Sequence, residues 1–229
     1  MLNKAKFFTL TLLAISFTFI SCSDDNNDGM SSKVEQAQVL VVHASPDAPG
    51  VDLLVDGAVV GTNLQFPNNT GYLAIDEGTR NIKVNVTGTN TTVIEADLPI
   101  SKDTYYSIFA VDSVSKLTPL VVADDLTNPT PGNAHVRFLH LSPNAPAVDI
   151  TLTDGTVVFG DNAFKDGTSF TPLPAATYDL QVRVQGTSTV VLNLPGITLE
   201  DGKIYTVFAK GFVGGSGSQA LGAQIIVNN

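Results

Sequence analysis

His43-Ala44-Ser45-Pro46-Asp47-Ala48-Pro49-Gly50-Val51-Asp52 returns 97 residues later as His140-Leu141-Ser142-Pro143-Asn144-Ala145-Pro146-Ala147-Val148-Asp149. The shared pattern H-x-S-P-x-A-P-x-V-D is long and particular in its prolines, so the chain reads as a tandem duplication with the spacing of one small domain. Working outward from the motif, the first repeat spans residues 38–125 and the second 134–229. Between them lies a Pro-rich linker, 126–133, stiffened by Pro129 and Pro131. The reading is of two beads on a short, semi-rigid string.

Within each repeat the pattern alternates with period two and breaks every 8 to 12 residues at Gly, Pro, Asp or Asn, which predicts short strands. Asp56-Gly57, between Val51–Val55 and Ala58-Val59-Val60, is a two-residue hairpin signal, and Asp154-Gly155 takes its place in the second copy. In Arg80–Val86 and Tyr178–Val184 the apolar residues fall on one face and the polar ones on the other, so one face is expected to be core and one wet. The fold expected is all-β: two tandem antiparallel β-sandwiches of about seven strands each, immunoglobulin-like or transthyretin-like. Phe109, Phe138, Phe159, Phe208, Tyr106 and Tyr205 are the expected bulky core residues.

The first 21 residues have Lys4 and Lys6 ahead of an apolar run from Phe7 to Ile20, the layout of a secretory leader. Cys22 is the only cysteine, and Phe19-Ile20-Ser21-Cys22 resembles a bacterial lipobox. That resemblance implies cleavage before Cys22 and acylation of it, with several chains giving a durable membrane anchor. Residues 22–37 open with Ser23-Asp24-Asp25-Asn26-Asn27-Asp28 and read as an acidic, flexible tether. The same stretch resembles the surface-export signal of Bacteroidota lipoproteins, which implies the outer face of the outer membrane; a periplasm-facing spacer is the alternative. Without the leader, ten basic residues stand against 22 acidic ones, for a charge of −12. The basic residues are scattered singly, so nucleic acid is not an expected partner.

The motif and the strand ending Val55-Asp56-Gly57 resemble the bacterial domain-of-unknown-function family 4397. Its members are typically secreted or lipid-anchored and often tandem, and the resemblance implies no particular activity. Thr153 occupies the place of Asp56 in the second copy, which weakens any shared role for Asp56.

Candidate binding residues are those of the motif: His43, Ser45, Asp47 and Asp52, with His140, Ser142, Asn144 and Asp149. A Ser-His-Asp hydrolase would need the base, the nucleophile and an oxyanion hole in register, and there is no G-x-S-x-G elbow. The simpler reading gives the imidazole to loop carbonyls, the motif serine and Asp47 or Asn144 to the turn as caps, and Asp52 or Asp149 to the backbone of the Pro-rich turn. Asp47, Asp52 and Asp56 raise calcium as a possibility, but the second copy retains only Asp149 cleanly, and neither a metal nor a cofactor is expected. Asp112-Ser113-Val114 resembles a short O-glycosylation acceptor of Bacteroidota, which would mark an exposed loop. The expected function is a non-enzymatic, lipid-anchored binding or adhesion module of the cell envelope, its ligand a glycan or a protein. The alternative is an accessory glycan-capturing lipoprotein using Tyr72 or Tyr178, and the remote one a hydrolase.

Overall fold

The computed structural model describes residues 35–229, which belong to one compact unit. The leader, Cys22 and the acidic stretch after it lie outside the described residues. The first repeat contributes β1 (Gln36–His43), β2 (Val51–Val55), β3 (Ala58–Leu64), β4 (Asn69–Asp76), β5 (Gly78–Val86), β6 (Thr92–Ile100), β7 (Tyr105–Val111) and β8 (Thr118–Asp124). The second contributes β9 (Asn133–His140), β10 (Val148–Leu152), β11 (Val157–Asn162), β12 (Thr171–Pro174), β13 (Ala176–Val184), β14 (Val190–Leu199), β15 (Ile204–Lys210) and β16 (Gly222–Val227). Each repeat is thus a sandwich of two four-stranded sheets, ordered β4-β1-β7-β8 and β3-β2-β5-β6 in the first and β12-β9-β15-β16 and β11-β10-β13-β14 in the second. The Asp56-Gly57 hairpin forms as expected, with both residues at positive φ, 50° and 82°.

Eight strands replace the expected seven, and the sheets are not purely antiparallel. The central pairs β1/β7 and β9/β15 run parallel. These strands are buried on both faces, which is the environment in which parallel strands are found. Along β1, Val39 and Val41 enter the core of the first sandwich, while Leu40 and Val42 point the other way. Ile108 and Ala110 of β7 face inward, and Phe109 and Val111 outward. In β9 and β15, Val136, Phe138 and Val207 fill the second sandwich, whereas Leu139 and Phe208 leave it. The outward-facing residues meet in a third core shared by the two repeats, where Phe109 and Phe208 stack edge to face with ring centres 5.8 Å apart.

The beads-on-a-string picture is therefore corrected: the repeats form four sheet layers with three cores, and the linker only closes the chain between β8 and β9. Ala37, placed in the tether by sequence, is fully buried in β1. Asp124 ends β8 buried, at 6% exposure, and Asn133 already belongs to β9.

Asp124 is buried because it answers a charge from the other repeat. Arg137 Nη2 lies 2.7 Å from Asp124 Oδ1, and the two side chains are 3% and 0% exposed. Tyr72 and Ser107 hydroxyls donate to Asp124 Oδ2 at 2.6 and 2.7 Å. Arg137 Nε donates to Thr206 Oγ1, Thr206 Oγ1 to Asn228 Oδ1, and Asn228 Nδ2 to the Tyr72 oxygen, which closes the ring across the interface. Burial, and then the Asp124 carboxylate, push the Tyr72 hydroxyl well above its ordinary value.

Candidate functional site

The two motif histidines end β1 and β9 and are 2% and 0% exposed. His43 Nε2 lies 2.9 Å from Pro49 O, and His140 Nε2 2.9 Å from Pro146 O. Carbonyls only accept, so each Nε2 carries the proton. At His140 the other nitrogen accepts from the Ser142 amide at 3.3 Å, which fixes the neutral ring. Edge-on contacts with Phe66 and Phe164 hold the two rings, and burial lowers both imidazoles below their ordinary value. Ser142 Oγ donates to Gly211 O at 2.6 Å, away from the histidine, and Ser45 Oγ has no hydrogen-bond partner among the described residues. The imidazoles therefore satisfy loop carbonyls, as the simpler reading expected, but the serine hydroxyls do not cap the turn: one reaches the loop after β15 and the other is unpaired among the described residues.

The acidic motif positions fasten loops to one another. Asp47 Oδ1 accepts from the Val114 amide at 2.8 Å, and Asn144 Oδ1 accepts from the Val213 amide at the same distance, tying each Pro-rich turn to the loop after β7 or β15. Asp52 accepts from the amides of Asn63 and Gly88 at 2.8 and 3.0 Å, which lowers its carboxyl below the ordinary value. Asp149 holds the amides of Asp161 and Gly186, both at 2.8 Å. These are not bonds to the Pro-rich turn, as expected from sequence; they pin β3 or β11 and the β5–β6 or β13–β14 turn. Asp56 instead pairs with Arg80 at 3.1 Å and accepts from the Asn81 amide. The three aspartates considered for calcium are thus engaged by separate sets of partners, and no group of three or more potential metal ligands forms among the described residues.

Beside Asp52 the first sandwich opens into a cleft of about 520 Å³ between β3 and β4. Thr62, Asn63, Gln65, Asn68, Asn69 and Thr70 give it a lining rich in amides and hydroxyls. Asn63 sits at φ 52°, a conformation that the Asp52 carboxylate stabilises by accepting its amide. The motif aspartate therefore positions the wall of the cleft.

The two repeats share strand order, motif contacts and loop fastening. The model described as Domain of unknown function (DUF4397) matches residues 37–151 and again 134–229. The chain belongs to this family. No curated protein matches it. In these DUF4397 repeats the recurrent motif is a set of loop fasteners, and the cleft residues lie outside it. Their signal was the amide-rich run Gln65-Phe66-Pro67-Asn68-Asn69-Thr70, which in the second repeat gives way to Asn162-Ala163-Phe164-Lys165-Asp166. Tyr72 and Tyr178 are both half-buried, the first in the inter-repeat polar ring and the second with its hydroxyl donating to Pro174 O at 2.8 Å, so neither is an open platform for a sugar. Ser113 does lie in the loop between β7 and β8, where Val114, Ser115 and Lys116 are exposed. Among the described residues no helix is long and apolar enough to cross a membrane.

Proposed function

We propose that this DUF4397 protein is a non-enzymatic binding module, lipid-anchored at the cell envelope through Cys22, whose first repeat engages its ligand at the amide-lined cleft between β3 and β4. The observation that carries the reading is the division of labour around Asp52. The motif fixes the scaffold; part of the lining is spent within it, Gln65 on Asn63 and Asn69 on the Gly71 amide, while the side chains of Thr62 and Asn68 make no hydrogen bond among the described residues and line the open cleft. Amides both donate and accept, so they suit the hydroxyls and acetamido groups of an uncharged glycan, and favour the glycan-capturing form of the reading. The spent imidazoles and the diverted Ser142 hydroxyl support a non-enzymatic role.

The full chain, applied to a broad panel of neutral oligosaccharides, is expected to retain a subset, and Gln65→Ala with Asn68→Ala to lose it while melting at the wild-type temperature. Retention unchanged in that variant, or none at all, counts against the cleft. Protease shaving of intact cells, with a lysed control and a variant neutral over Ser23–Asp28, tests the location. Cleavage of the native chain alone supports surface exposure, and resistance of both until lysis supports the periplasm.

A further inference from the structure

The second sandwich contains a feature that the first does not. Between its sheets lies a cavity of about 200 Å³, walled by Phe138, Ile150, Leu173, Leu180, Leu194 and Ile197 among other apolar side chains. The only side-chain polar atom on its lining residues is the Tyr178 hydroxyl, and that is already committed to Pro174 O. In the first repeat the corresponding place, lined by Val41, Leu53, Ile82, Ala96, Leu98 and Ile108, holds a void of about 10 Å³. The register of the strands shows the origin of the difference. Ile82 and Arg80 pair with Ala96 and Leu98, but Leu180 and Tyr178 pair with Leu194 and Ile197, so β14 carries one additional residue. That residue falls at Pro195-Gly196, with Gly196 at φ 69° and its amide on Asp179 Oδ1. The bulge bends the strand beside the cavity.

Water gains nothing in such a space, because an ordered water needs two to four polar partners, and apolar cavities of about 150 Å³ stay dry and accept benzene. A space of about 200 Å³ therefore suits an alkyl group of about six to nine carbons. Leu173, Tyr178, Leu180, Leu194 and Ile197 are only partly buried, so the cavity reaches the surface at one side. We propose that the second repeat binds an alkyl group in this cavity, one per chain, at a site separate from the cleft of the first repeat. The group comes either from a free hydrocarbon or from the end of a fatty-acyl chain whose polar head stays outside.

The test measures the melting temperature of the full chain with n-octane and with octanoate as probes. Saturation is expected to raise it by about 2–4 °C, with one probe bound per chain. A response to octane alone assigns a free hydrocarbon, and a response to both assigns an acyl chain. Val158→Phe and Ile197→Phe, which place a ring in the cavity, are expected to abolish the response. Methyl-labelled wild-type protein supplies a readout independent of these variants: octane protons should show cross-relaxation with the methyl groups of Leu173 and Leu194 and none with those of Leu53 and Leu98. The proposal is overturned if neither probe raises the melting temperature, if two bind per chain, if a folded filling variant responds like the wild type, or if the cross-relaxation appears in the first repeat.

Discussion

Burial holds both motif imidazoles below their ordinary value of 6.5, with backbone acceptors, and Asp166 at His140, opposing the shift. The folded chain therefore keeps them neutral at a pH where the unfolded chain has begun to take up protons. Their contribution to stability is complete above about pH 7.5, declines as pH falls through the unfolded value, and is lost towards the lower folded value. Urea midpoints measured from pH 8 to pH 5 should fall across that window, and the double variant His43→Gln, His140→Gln should flatten the fall. An equal fall in the variant would assign it to carboxylates. The sequence disclosed which residues matter at this scale, since motif residues recur only where something requires them. It did not disclose the partners, because Asp52 bonds Asn63 in β3 and Gly88 in the β5–β6 turn, which reach it only after the strands have paired.

At the level of elements, the loop after β15 is closed by Gly211. It lies at φ 80°, its carbonyl accepts from Ser142, and a Cβ there would stand 2.1 Å from Ala220 O. Gly211→Ala should cost about 3–5 kcal/mol, combining left-handed strain with a backbone collision. Gly214→Ala, at φ 79° with open space around it, should cost only about 1–2 kcal/mol. Denaturant titration of the two variants checks the difference. Hairpins such as Asp56-Gly57 were readable because turn chemistry is local. The parallel pairing of β1 with β7 was not, since it joins residues far apart in sequence and leaves no signal in the turns between them. One sign was present. Val39-Leu40-Val41-Val42 and Ile108-Phe109-Ala110-Val111 are apolar without alternation, and strands with a wet face do not read that way.

For the molecule as a whole, the shared core and the Arg137–Asp124 pair make the two repeats one cooperative body. Calorimetry should show a single transition whose calorimetric and van't Hoff enthalpies agree; two separable transitions would contradict the shared core. Arg137→Met alone strands a buried carboxylate and should cost about 3–5 kcal/mol, whereas Arg137→Met with Asp124→Leu should recover most of that loss. Urea midpoints of the three proteins check it, and a double variant no better than the single one would show that the pair itself is stabilising. Arg137 is a charge within an apolar strand, and its partner, 13 residues earlier across the linker, is brought to it only where sheet faces sheet.

The faces that meet are equivalent ones. By strand register Val42 corresponds to Leu139, Ala44 to Leu141 and Phe109 to Phe208. The same register makes Arg137 the counterpart of Leu40, Thr206 that of Ser107, and Asn228 that of Asp124. Two identical subunits joined through this face would have to accept every replacement twice, so that one arginine would bring a second arginine and no additional aspartate. Joined in a single chain, the halves mutate independently. One side could acquire the cation and the other the anion, turning a self-complementary contact into a lock and key made by a single gene.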